Sequence, residues 1–206
     1  MPHFISQIAT FFFMPLIMPL LALFLALQFD PYLVLFVAPG KAQLTLLVVG
    51  LATFLFPLIN LFLLKKAGVI TSYNLENRKE RIAPAISTLL YFGLGYFLIK
   101  KGQLPTVMYS MYIGAVASAV LAMIITLRWK ISLHAIGISG VAGAMYGLFK
   151  LHEFVHWPIL IALILITGWV MSARISLGVH TPAQVYAGAA LGFTVSWLSV
   201  VTGVVF

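Results

Sequence analysis

The chain is predicted to be an all-α, polytopic transmembrane helical bundle of six or seven spans, on three observations. Of its 206 residues 63% are hydrophobic and 8% charged, against about 25% charged in an ordinary soluble domain, and the mean hydropathy is +1.12. The apolar residues gather into runs of membrane-crossing length, since a hydrocarbon core about 30 Å thick takes roughly 20 helical residues. Strand-like alternation is absent from those runs, and backbone groups in lipid must pair within their own segment, so each run is read as a helix.

The first run, 8–28, follows Met1-Pro2-His3, which offers no basic region, and it outlasts a signal-peptide core; a retained, uncleaved first span is expected. Pro15 and Pro19 are expected to kink it, and Phe11-Phe12-Phe13 to face lipid or the core. Asp30-Pro31 marks a turn before the second run, 42–64, which carries Pro57. The third, 85–99, would reach only about 22 Å at 1.5 Å per residue, so it must thin the bilayer or lie partly outside it. Its status separates six spans from seven. After a turn at Gly102 to Pro105 come 106–127, 132–149, 157–173 and 183–203, with Trp129 and Trp157 at span ends, where indole rings favour the interface. Gly143-x3-Gly147 and Gly188-x3-Gly192 are small-residue spacings that let transmembrane helices approach closely.

No cysteine is present, which excludes disulfides and thiolate metal sites. Without repeats or a long linker, residues 1–206 read as a single transmembrane domain. A multi-pass integral protein of a bacterial inner membrane is expected, in contact with membrane lipids and with no nucleic-acid partner. The net charge of +8 is first explained by Lys and Arg at helix ends near headgroups. On seven spans, Lys65, Lys66, Arg78, Lys79, Arg81, Arg128, Lys130 and Arg174 share one face, and Lys41, Lys100, Lys101 and Lys150 the other. Setting aside Arg78, Lys79, Arg81, Lys130 and Arg174 as candidate site residues reverses that imbalance, so charge leaves sidedness open.

Three polar clusters break the apolar pattern: 77–84, 130–134 and 174–184. Two spans separate each from the next, so all three emerge on one face and can converge. Together they offer two imidazoles, His134 and His180, and guanidiniums at Arg78, Arg81 and Arg174. Those groups suit a tetrahedral dianion. Arg forks grip phosphate oxygens, one His can attack phosphorus, and the other can protonate the leaving oxygen. Helix starts near Ser132 and Pro182 add positive dipole ends.

Arg174-x5-His180 with Gly178, Pro182, Val185 and Gly188, preceded by Ser132 and His134, resembles the type 2 phosphatidic acid phosphatase superfamily, which includes acid phosphatases and vanadium haloperoxidases. Its signatures run K-x6-R-P, P-S-G-H and S-R-x5-H-x3-D. The first is echoed here only by Arg78, Lys79, Arg81 and Pro84. The resemblance implies a phosphatase-like core over about 65–203. It further implies that His180 is the nucleophile forming a phosphohistidine, that His134 is the general acid, and that Arg174, Arg81, Lys79 and Arg78 clamp the phosphate with Ser132. It implies a metal-free reaction without cofactors on a lipid phosphomonoester or diphosphate, the Arg clamp standing in for a metal.

Two positions depart from that pattern. Gln184 stands where the orienting carboxylate is expected, and Ala173 where a Ser precedes the Arg. A Gln oxygen can hold the His180 ring but cannot stabilise an imidazolium by charge. Thr181-Pro182-Ala183-Gln184 also fits a capping box, with Thr at N-cap and Gln at N3. The alternatives to a lipid phosphatase are a lipid phosphotransferase and a non-catalytic binder of anionic lipid. A remoter one is a zinc intramembrane protease, from His152-Glu153-x2-His156, a literal H-E-x-x-H. Trp157-Pro158 follows at once and opposes a helix there, so an interfacial loop is the expectation for that segment.

Overall fold

The computed structural model describes residues 3–73 and 79–204, so the candidate Arg78 lies outside the described residues. The described chain is helical, with no strand, and six of its helical stretches are long and apolar enough to cross a membrane. The all-α membrane bundle expected from composition is the architecture found.

Helix α1 (His3–Phe12) and α2 (Met18–Phe29) share the first stretch. Between them Met14 is extended and Pro15 opens a single 3-10 turn, Pro15–Ile17, because a proline ring cannot sit inside a continuous helix. Pro19 falls in the first turn of α2, where its missing N–H costs nothing, so only one of the two prolines breaks the run. Asp30 caps the short α3 (Pro31–Phe36), its Oδ1 accepting from the Leu33 N–H at 2.9 Å. Helix α4 (Pro39–Gly50) passes through a π-helical turn, Leu51–Leu55, into α5 (Phe56–Lys66). Pro57 has no N–H for the carbonyl four residues back, and the wide turn accommodates that gap without ending the run.

The third crossing is longer than the run 85–99 suggests. Helix α6 spans Ile82–Lys100, 19 residues or about 28 Å, preceded by a 3-10 turn at Lys79–Arg81. Pro84 is tolerated because it lies in the opening turn, so the helix starts inside the polar cluster. Helices α7 (Thr106–Thr126), α8 (Leu133–Leu151), α9 (Trp157–Ser176) and α10 (Pro182–Thr202) follow.

Helix α8 matches α6 in length but is absent from the six stretches apolar enough to span. Its composition explains this: Gly137, Gly140, Gly143 and Gly147, with Ser139, Ala142 and Ala144, expose little apolar side chain. They also let neighbours come close, and most of α8 is buried, with α10, α9, α2 and α7 packed around it. Protein rather than lipid surrounds this helix. A Cβ on Gly143 would run into the Phe193 carbonyl, and one on Gly192 into the Ile136 carbonyl. On Gly188 it would lie 2.8 Å from the Ser132 oxygen. The two small-residue spacings therefore act as close helix contacts between α8 and α10.

At the far end of α8, the H-E-x-x-H segment does not form a helix. His152 ends α8, Glu153 adopts a left-handed φ of 52°, and His156 precedes α9. Two imidazoles four residues apart therefore do not share a helix face, and no cluster of three metal-ligating side chains occurs among the described residues. The segment serves packing instead. The His152 Nδ1 meets the fully buried Asp30 Oδ2 at 2.8 Å, which ties the α2–α3 corner to the α8–α9 connection.

Candidate functional site

The opposite end of α8 gathers the sequence-predicted chemistry. Close contact between α8 and α10 brings the residues before each helix together, and the Ser132 N–H donates to the Gln184 carbonyl at 3.3 Å. Arg174, in the last turn of α9, reaches the same place. Arg174, His180 and the Thr10 backbone all act electrostatically on the His134 ring.

His180 is held by one nitrogen. Its Nδ1 lies 3.1 Å from the Lys130 carbonyl oxygen and 3.2 Å from Gln184 Oε1. Both partners are acceptors, so Nδ1 carries the proton and Nε2 keeps its lone pair. The Gln184 amide orientation follows from a second contact: the Thr181 N–H, which can only donate, lies 3.1 Å from the same Oε1. The capping box is present too, the Gln184 N–H donating to Thr181 Oγ1 at 3.4 Å. One oxygen thus caps α10 and orients the imidazole. The two readings of Gln184 are one arrangement.

Electrostatics keep this ring neutral. Burial lowers the His180 pKa first, the Arg174 guanidinium lowers it further, and the hydrogen bonds to Gln184 and the Lys130 carbonyl oppose both. A neutral ring with Nδ1 protonated presents a nucleophilic or basic Nε2 at neutral pH.

Arg174 has no carboxylate partner among the described residues. Its Nη1 donates to Thr10 Oγ1 at 3.3 Å, and its buried Nε finds no acceptor. The described acids are engaged or placed elsewhere: Asp30 with His152, Glu80 on the Thr71 N–H and hydroxyl, and Glu153 exposed beyond α8. A half-buried cation with a spare donor and no counter-charge suits an anion.

The remaining predicted residues are placed differently. Ser132 is fully buried and N-caps α8, its Oγ accepting from the Ala135 N–H at 3.4 Å. Lys79 and Arg81 sit on the turn before α6, which packs on α4, α5 and α7, and neither is among the charges acting on His134 or His180. Among the described residues, the structure thus brings the clusters 130–134 and 174–184 together. Sequence reasoning missed Thr10 and the Lys130 carbonyl. Thr10 left one faint signal, a hydroxyl in the apolar run Ile8-Ala9-Thr10-Phe11; a backbone carbonyl leaves none.

Comparison with protein families, with curated proteins and with solved structures finds no match for this chain. The residues themselves therefore carry the functional argument, on a multi-pass helical bundle with six stretches fit to cross a membrane.

Proposed function

We propose that this protein is a membrane-embedded lipid phosphatase acting through a phosphohistidine at His180. The observation that carries it is the His180 ring, whose Nδ1 proton is held by two oxygen acceptors so that Nε2 keeps its lone pair, beside a guanidinium with no counter-ion among the described residues. In the first step Nε2 attacks phosphorus, the bond from phosphorus to the lipid oxygen breaks, and His134, protonated when the dianion is bound beside it, gives its proton to that oxygen. In the second, water attacks phosphorus, His134 takes its proton, the P–N bond breaks and inorganic phosphate leaves. Arg174 bears the charge on the equatorial oxygens in both transfers. A lipid substrate is favoured because the site lies at the end of apolar helices, and the resemblance of residues 174–188 to lipid phosphatases agrees with it.

Gln184 favours a second reading. When Nε2 bonds to phosphorus with Nδ1 still protonated, the ring becomes cationic, and an amide stabilises it only as a dipole. A descendant that keeps the cationic site to bind anionic lipid would retain this geometry without turnover. Phosphate release from a panel of lipid phosphomonoesters and diphosphates, with chelator present, separates the two. Hydrolysis that falls at least about 100-fold in His180→Ala and in His134→Ala supports the phosphatase. Binding without release supports the lipid binder, and release only to an added alcohol supports a phosphotransferase.

A further inference from the structure

We infer that Thr10, on the first helix, is the positioning residue that aims the Arg174 fork at the bound anion. The inference rests on the reading of this end of the bundle as an anion site. A guanidinium presents two bidentate edges, one formed by both terminal nitrogens and one by Nε with Nη2. The Thr10 hydroxyl accepts from Nη1 at 3.3 Å, which anchors the guanidinium on the side away from the Nε N–H. The Nε N–H, buried and without an acceptor among the described residues, belongs to the other edge. The contact therefore selects the Nε edge for the ligand and limits rotation of a side chain with several rotatable bonds.

The same residue reaches the second imidazole. Its backbone acts electrostatically on the His134 ring, so one turn of α1 bears on both groups that must meet the phosphoryl oxygens and the leaving oxygen. Helix α1 is held there by packing on α9 and by the Pro15 break over α8, where a Cβ on Gly137 would meet Met18 and Pro15. Thr10 thus couples a helix outside the three polar clusters to the site, and it acts through Arg174 rather than on substrate.

Inorganic phosphate binding to the full-length protein in detergent tests this. Thr10→Val keeps the shape and the backbone and removes the hydroxyl; it is expected to weaken phosphate about tenfold, while Thr10→Ser stays near wild type. In an Arg174→Lys background Thr10→Val is expected to change nothing further, because the hydroxyl acts only through the guanidinium. With substrate, KM rises and kcat stays within about twofold. Equal affinity in wild type and Thr10→Val, or the same loss in both backgrounds, overturns the inference. Should Thr10→Val not fold, the wild-type Arg174 Nε N–H resonance, assigned with Arg174→Lys, decides. It must move on phosphate addition, and a static resonance in a protein that binds phosphate overturns the inference alone. A wild-type protein that binds no phosphate overturns the anion-site reading along with it.

Discussion

Replacing Gln184 by Glu is the most informative single change. Glu has the same length, serves equally well at N3 of a capping box, and would put a carboxylate oxygen where Oε1 now lies, 3.2 Å from His180 Nδ1. Opposite unit charges at that distance attract by about 5 kcal/mol at an effective dielectric of 20. Both side chains are only partly buried, so solvent screening reduces this to about 1–3 kcal/mol. The phosphorylated ring is cationic and the resting ring neutral, so the stabilisation falls on the reaction path and kcat should rise by about 10- to 100-fold. The new charge also raises the His180 pKa, which burial and Arg174 now hold low. Because Nε2 must be unprotonated to attack, the acid limb of kcat/KM should move to higher pH by about one to two units. Phosphate release measured from pH 4.5 to 8.5 reads both effects. An unchanged kcat with an unmoved acid limb would refute the role given to this contact.

Four further outcomes follow from the geometry. His180 is a base whose folded pKa is lowered, so the unfolded chain takes up protons first as pH falls; stability should drop below about pH 6.5, with thermal midpoints in detergent showing a shallower slope for His180→Gln. Gly143→Ala, which meets the rigid Phe193 carbonyl, should cost about 1–3 kcal/mol, whereas Gly93→Ala meets nothing within 4 Å and should be neutral or mildly stabilising in the same melts. His152→Ala leaves the Asp30 carboxylate buried with only the Leu33 N–H, and unfolding should show a loss of about 3 kcal/mol. Glu153→Gln, on an exposed residue, should leave both stability and phosphate release unchanged.

The fold was legible where one physical cause dominates. Long apolar runs set the spans, and Pro15 marks the break in the first because a missing N–H has a local effect. The third run misleads, since Pro84 resembles a stop yet lies in a helix's first turn. Helix α8 is the less apolar one for a reason that lies outside its own sequence: its surroundings are other helices. In the site, Arg174, His134 and His180 were readable from spacing and parity. Thr10 was not, because 164 residues separate it from Arg174 and nothing local announces that contact. Gln184 looked like a choice between cap and support for the His180 ring, and the structure shows one oxygen meeting both the Thr181 N–H and that ring.

The central claim is that His180 takes up the phosphoryl group. Brief reaction of the purified protein with a 32P-labelled lipid phosphate, followed by alkaline quench and peptide mapping, tests it directly. An alkali-stable, acid-labile label on the peptide containing His180, absent from His180→Ala, is the predicted result. Phosphate release at an undiminished rate from His180→Ala would contradict it.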